Sequence, residues 1–210
     1  MNPTASPTPM TSDATAALLQ RLAITEVVQS WALYRDTGDW DGLRSTMHAD
    51  ATMTATWFDG PVEAFIEAAQ ASWRKGSRSQ HFLGGSIVQV NATRAIAQTR
   101  MAIQVRGPLD GIEVDVHCAG RFYDRVEQRD GVWRIAKRKL VYEKDSLMPV
   151  DAQQRVPLDP ALLARFPEGY RHLAYLQTRA GATVNADLPT AKGAALDSLI
   201  AEAQAWLMAV

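Results

Sequence analysis

Cysteine is almost missing from the chain: Cys118 is the one thiol in 210 residues. A single thiol excludes an internal disulfide framework and a clustered thiolate metal site. Long apolar runs are missing too. None approaches the roughly 18 residues a spanning helix needs, so no membrane partner is expected. The N-terminus lacks a basic stretch followed by an apolar one, so no secretory signal is expected and the cytoplasm is the default compartment. Charge of one sign is not in excess: 22 Lys and Arg against 23 Asp and Glu leave a net charge of −1. That balance argues against a nucleic-acid partner. Glycine-rich phosphate loops, the GxSxG elbow, HExxH and CxxC are all absent. The four histidines, His48, His81, His117 and His172, are scattered and form no local metal site. No metal and no organic cofactor is expected.

What is present is an ordinary globular composition, 47% hydrophobic and 21% charged, enough for one sizeable core. Residues 1–12, rich in Pro, Thr and Ser, predict a disordered lead-in. Leu18, Leu19, Leu22, Val27, Val28 and Trp31 recur at helical intervals, predicting a helix over about 13–35 that Gly38 ends. A second helix is predicted over about 40–48, a strand over 51–57, a turn at Asp59-Gly60-Pro61, and a third helix from there to about 74. Then follow a short strand at 87–90 and a strand over 95–105, whose Ala95, Ala97, Met101, Ile103 and Val105 share one face. In 113–127, Val114, Val116, Cys118, Phe122 and Val126 share one parity; His117, Arg121 and Tyr123 share the other. Arg129-Asp130-Gly131 is a hairpin turn, and a last strand covers 132–143. Helices followed by a four-stranded antiparallel run define an α+β fold, with helices packed on one face of a curved sheet. From Ser146 the sequence reads as loop, with helical tail segments at about 160–177 and 190–208. The expected organisation is a lead-in at 1–12, a domain at 13–145, and a 146–210 extension lying over the cavity or a partner subunit.

Two residues invite a chemical reading. Asp36 lies near the C-terminal end of the first helix, where the helix dipole disfavours a carboxylate. On its own it reads as the start of a polar turn with Gly38 and Asp39. His81 precedes a strand, where a single histidine usually reads as a surface residue. Together they read differently, because a carboxylate beside a histidine fixes its tautomer and makes it a better general base near neutral pH. His117, Arg121 and Tyr123 line a cavity together, or belong to a solvated or dimer-forming sheet face, and Gly120 is a candidate bulge that changes that parity. Arg138 and Tyr142 share a parity on the last strand. Trp133, Ile135 and Cys118 read as core. His48 and His172 read as surface.

Three stretches, Ile24 to Ala51, Gln80-His81 and Arg129 to Arg138, resemble the nuclear transport factor 2-like superfamily, and within it the SnoaL-like branch of scytalone dehydratase, bile-acid 7-dehydratase and hexachlorocyclohexane dehydrochlorinase relatives. The resemblance spans about residues 15–145. It implies a cone of curved antiparallel sheet, a cystatin-like α+β barrel, with helices closing an apolar cavity. It implies Asp36 and His81 as a catalytic dyad and Arg138 as a cavity arginine. Five residues before the dyad aspartate the dehydratases carry Tyr and the dehydrochlorinase Lys; this chain has Trp31, suited to stacking on or shaping a substrate. Tyr34, His117, Tyr142 and Arg121 complete the candidate substrate contacts. The implied activity is a cofactor-independent lyase of dehydratase type, or a retro-aldol-type variant, acting on an apolar, ring-containing small molecule, with Arg138 or Tyr34 stabilising charge on oxygen. An isomerase or cyclase using the same base, and a non-catalytic binding or dimerisation module, are the alternatives. A homo-oligomer, dimer or trimer, is the expected assembly.

Overall fold

The computed structural model describes residues 11–209, so most of the 1–12 lead-in lies outside it. The elements run α1 (Ser12–Thr37), α2 (Trp40–Ser45), β1 (Met47–Ala55), β2 (Phe58–Pro61), α3 (Val62–Arg74), β3 (Ser79–Asn91), β4 (Arg94–Leu109), β5 (Ile112–Arg129), β6 (Val132–Pro149), α4 (Pro160–Leu163), α5 (Arg171–Arg179) and α6 (Ala194–Met208). Thr11 caps α1 by accepting from the Ala14 N–H. Gly38 stops it at φ 76, in the left-handed region that glycine enters freely. Only the second half of α1 is buried, through Ile24, Val28, Trp31, Ala32 and Arg35. Leu18, Leu19 and Leu22, which share the predicted apolar face, stand exposed. The apolar face is needed only where the sheet lies beneath it.

The six strands form one curved, open sheet in the order β2-β1-β6-β5-β4-β3. Every pair is antiparallel except β1 with β6, which is parallel. Hairpin turns at Asp110-Gly111 and Asp130-Gly131 place both central residues at positive φ, the conformation that Asp-Gly favours and that matches strand twist. One face of the sheet carries the main core, covered by α1, α3 and α5. The other face buries Ile96, Tyr123 and Val141 under α6 through Leu196, Leu199, Ala203 and Leu207. The tail therefore contributes to both faces: Tyr170, Leu173, Ala174 and Leu176 join the main core, and Pro189 accepts from the Tyr142 N–H where β1 has ended.

Several boundaries differ from expectation. The 40–48 helix stops at Ser45, because Met47 and His48 already belong to β1. The Asp59-Gly60-Pro61 turn forms β2, which pairs with β1. The strand expected at 87–90 extends over Ser79–Asn91, and β6 runs on to Pro149 through the segment read as loop. The single helix expected over 160–177 is two, α4 and α5.

Two bulges matter for the site. In β6 the register shifts opposite Arg125/Val126 and again opposite Ala119/Gly120, while β5 keeps its alternation. Gly120 marks the second shift without changing the parity of β5, and a Cβ there would lie 2.1 Å from the Val141 carbonyl oxygen. Gly120→Ala should lower stability by about 1–3 kcal/mol, read as a lower urea midpoint at unchanged slope.

Candidate active site

Asp36 and His81 are 45 residues apart in sequence and in contact in the fold. Asp36 sits in the last turn of α1, which packs on the edge strand β3. Its Oδ2 accepts from the His81 backbone N–H at 2.5 Å, and its Oδ1 from His81 Nδ1 at 2.6 Å. The two side chains are 14% and 8% exposed. An ionised carboxylate can only accept, so in a neutral imidazole this pairing places the proton on Nδ1 and leaves Nε2 with its lone pair. The backbone bond fixes the carboxylate against the strand as well as the ring.

Aromatic rings enclose the imidazole. Trp31 meets it edge-on at 5.7 Å between centroids, and Phe122 lies 6.1 Å away. Behind these rings is Arg138, fully buried, its Cζ 4.2 Å from the Trp31 centroid and 3.9 Å from that of Phe122. Its Nε and Nη2 each donate to Asp124 at 2.7 Å. Burial pushes the Asp124 carboxyl upward, and the Arg138 charge and its two hydrogen bonds oppose that push. The composition of β5 marks Asp124: it is a carboxylate on the apolar parity of Val114, Cys118, Phe122 and Val126, directly opposite Arg138 in the register. It is the residue that sequence reasoning missed.

The structure thus brings Asp36, His81, Trp31 and Arg138 together. Tyr142 also points into the main core, but its hydroxyl is taken by the Thr56 N–H, and burial pushes its pKa upward. Tyr34 turns toward α2, its ring against Gly42. His117 and Arg121 are not part of the cluster. Their parity faces away from the main core, where exposed His117 bonds Gln104 and Arg121 pairs with Glu143. Cys118 is buried in the core and its thiol is pushed upward by burial, with the Asp145 charge adding to it, so it is not poised as a nucleophile.

Of the two histidines read as surface residues, one is buried and the other half-buried. His48 is 5% exposed and bonds the Glu127 carbonyl through Nε2. His172 is held by Asp145, whose carboxylate also accepts from the His172 and Leu173 N–H groups and so caps α5 from β6. Among the described residues there is no group of three or more His, Cys, Asp or Glu side chains suited to a metal ion, and no helix long and apolar enough to cross a membrane. A pocket of about 630 Å³ opens beside Arg44, His48, Asp50, Arg129 and Arg134, and another of about 210 Å³ beside Arg125, Lys137 and Trp206. Neither is lined by Asp36 or His81; that pair is part-buried at the edge of the main core.

The curved six-stranded sheet with helices on both faces defines the domain as α+β. The chain belongs to the SnoaL-like domain family, which matches residues 16–139. It is 35% identical over 176 residues to pea pathogenicity protein 2 of Fusarium vanettenii, covering 81% of this chain and 75% of that protein. Its fold is similar to the crystal structure of LinA, with a TM-score of 0.54 and 21% identity over 70% of this chain and all of that one. It is also similar to a candidate scytalone dehydratase of Novosphingobium aromaticivorans, with a TM-score of 0.52 and 17% identity over 68% of this chain and 93% of that one.

Proposed function

We propose that the chain is a cofactor-independent lyase of dehydratase type, acting on an apolar, ring-containing small molecule. His81 Nε2 takes a proton from the substrate, and Asp36 holds the ring and stabilises the imidazolium. The imidazolium then protonates the departing group on the same face. The observation that carries this reading is the double grip of Asp36 on His81, through the backbone N–H and Nδ1, which leaves Nε2 as the free base. The aromatic enclosure supports it, because a base shielded from water meets an apolar substrate without competition from solvent. Isomerisation by the same base would release nothing, so the mass of the product distinguishes the two.

The test is turnover of a panel of ring compounds carrying a β-hydroxyl, followed by loss of product mass. His81→Ala should lower the rate by about 10²–10⁴-fold. A rate near that of the unaltered protein ends the proposal.

A further inference from the structure

The pocket of about 210 Å³ beside α6 lies apart from Asp36 and His81, and its charges do not balance. Its lining sets Arg125, Arg129 and Lys137 against two acids, Asp50 and Glu127. Arg129 takes both acids: Nε and Nη2 donate to Glu127 at 2.8 and 2.6 Å, and Nη1 donates to Asp50 at 2.8 Å. Arg125 and Lys137 are left over. They are directly opposite each other in the register of β5 and β6, where like charges repel. The Arg125 side chain is only 17% exposed, and its one carboxylate among the described residues is Glu202 at 3.8 Å, too far for a hydrogen bond. Half-buried Lys137 forms no ion pair among the described residues. Charges withdrawn from water are normally paired, so this couple lacks an anion. Ala136, the extra residue of the first β6 bulge, lines the same pocket, and its methyl side chain leaves the space open. Trp206 of α6 supplies a flat apolar wall. Its ring is held in place: the Cζ atoms of Arg94 and Arg125 lie 5.2 and 5.5 Å from its centroid, and Arg94 Nη1 donates to the Trp206 carbonyl at 2.8 Å.

We infer that this pocket is a second binding site, that its ligand is an aromatic carboxylate, and that the carboxylate sits between Arg125 and Lys137 with the ring against Trp206. The site does not depend on the dyad reading. The planar guanidinium matches two carboxylate oxygens, and the ammonium adds a point charge beside them. An anion without a ring would leave the indole face to water. A ring without a charge would leave the two cations facing each other unpaired. Asp50 and Glu127 set the size of the charge: a dianion would meet two carboxylates in the same lining, whereas a monoanion matches the single excess positive charge of three cations over two acids. The cations come from the sheet and the indole from α6, so the ligand ties the C-terminal helix to β5 and β6.

The probes are benzoate, benzyl alcohol, acetate and phenyl phosphate, titrated into the full chain while the indole N–H resonances of its six tryptophans are followed. The Trp206 resonance is assigned by its loss in Trp206→Phe. Benzoate should move it saturably, at least about 10-fold more tightly than the uncharged, ringless or doubly charged probe. Added salt should weaken the binding. Arg125→Gln and Lys137→Gln should each lower the affinity for benzoate at least about 10-fold. Lys137→Gln should leave the urea midpoint of the unliganded protein unchanged or higher, because it removes a repulsion. His81→Ala should leave the Trp206 shift in place. No saturable shift, equal affinity for benzoate and benzyl alcohol, tighter binding of phenyl phosphate, or undiminished affinity in both cation variants overturns the site. So does a Trp206 shift that disappears in His81→Ala, which would put the benzoate in the interior.

Discussion

Asp36→Asn is expected to cut turnover by about 10³–10⁴-fold while leaving the fold intact. The carboxylate accepts two hydrogen bonds from one residue, the backbone N–H and Nδ1–H of His81. An asparagine side chain has one accepting oxygen and one donating NH2 group. If the oxygen keeps the backbone N–H, the amide NH2 faces Nδ1 and forces the imidazole proton onto Nε2. The base then has its proton on the wrong nitrogen. If the oxygen keeps Nδ1–H, the backbone N–H meets another donor and β3 loses its anchor on α1. The substitution is nearly isosteric, so a thermal midpoint within a few degrees of the original would accompany the rate loss. A rate within about 3-fold of the original would mean that the carboxylate does not set the tautomer, and His81 would not be the base.

The sequence disclosed this geometry unevenly, for physical reasons. The alternation in β4 and β5 was legible because each strand keeps one face on the main core from end to end. β6 was harder. Its inner face passes from Trp133 and Ile135 to Arg138, Leu140 and Tyr142, which have the opposite parity, because a bulge intervenes. Arg138 and Tyr142 sharing a parity was legible; that they share a face with Trp133 and Ile135 was not. β3 was shortened in the reading because Gly84 and Gly85 interrupt its pattern, and the shift between Leu83 and Ser86 flips its parity. The polar parity of His117 and Arg121 was visible, and so was the apolar parity beside it. Only the placement of the helices decides which side is inner, and the main core is on the side of Val116 and Cys118. The contact of Asp36 with His81 is beyond local pattern: nothing in a 45-residue separation brings a helix end to an edge strand, and only the family resemblance pointed to the pair. Asp124 was within reach of a register argument, since an antiparallel partner of Arg138 on an apolar face has few other reasons to be charged.

Asp124→Leu is expected to destabilise the protein by about 3–5 kcal/mol, because it leaves the Arg138 charge buried between two aromatic rings without its counter-ion. Arg138→Met should cost a similar amount by stranding the carboxylate. Burial already pushes the Asp124 carboxyl upward, so the stranded acid would take up a proton and recover part of the loss. The double variant Asp124→Leu with Arg138→Met removes both charges at roughly conserved volume. It should be close to the original in stability, or above it, because the cost of desolvating two ions vanishes with their attraction. Urea unfolding of the four proteins closes the cycle, and singles that lose under about 1 kcal/mol would mean that the pair is solvated. Activity separates stability from purpose. A double variant that is stable yet inactive would mean that the charged pair serves the chemistry and not the fold, since a wholly apolar core would have held the fold as well. A stable and active double variant would remove Arg138 from the chemistry, leaving His81 and Asp36 to act without it.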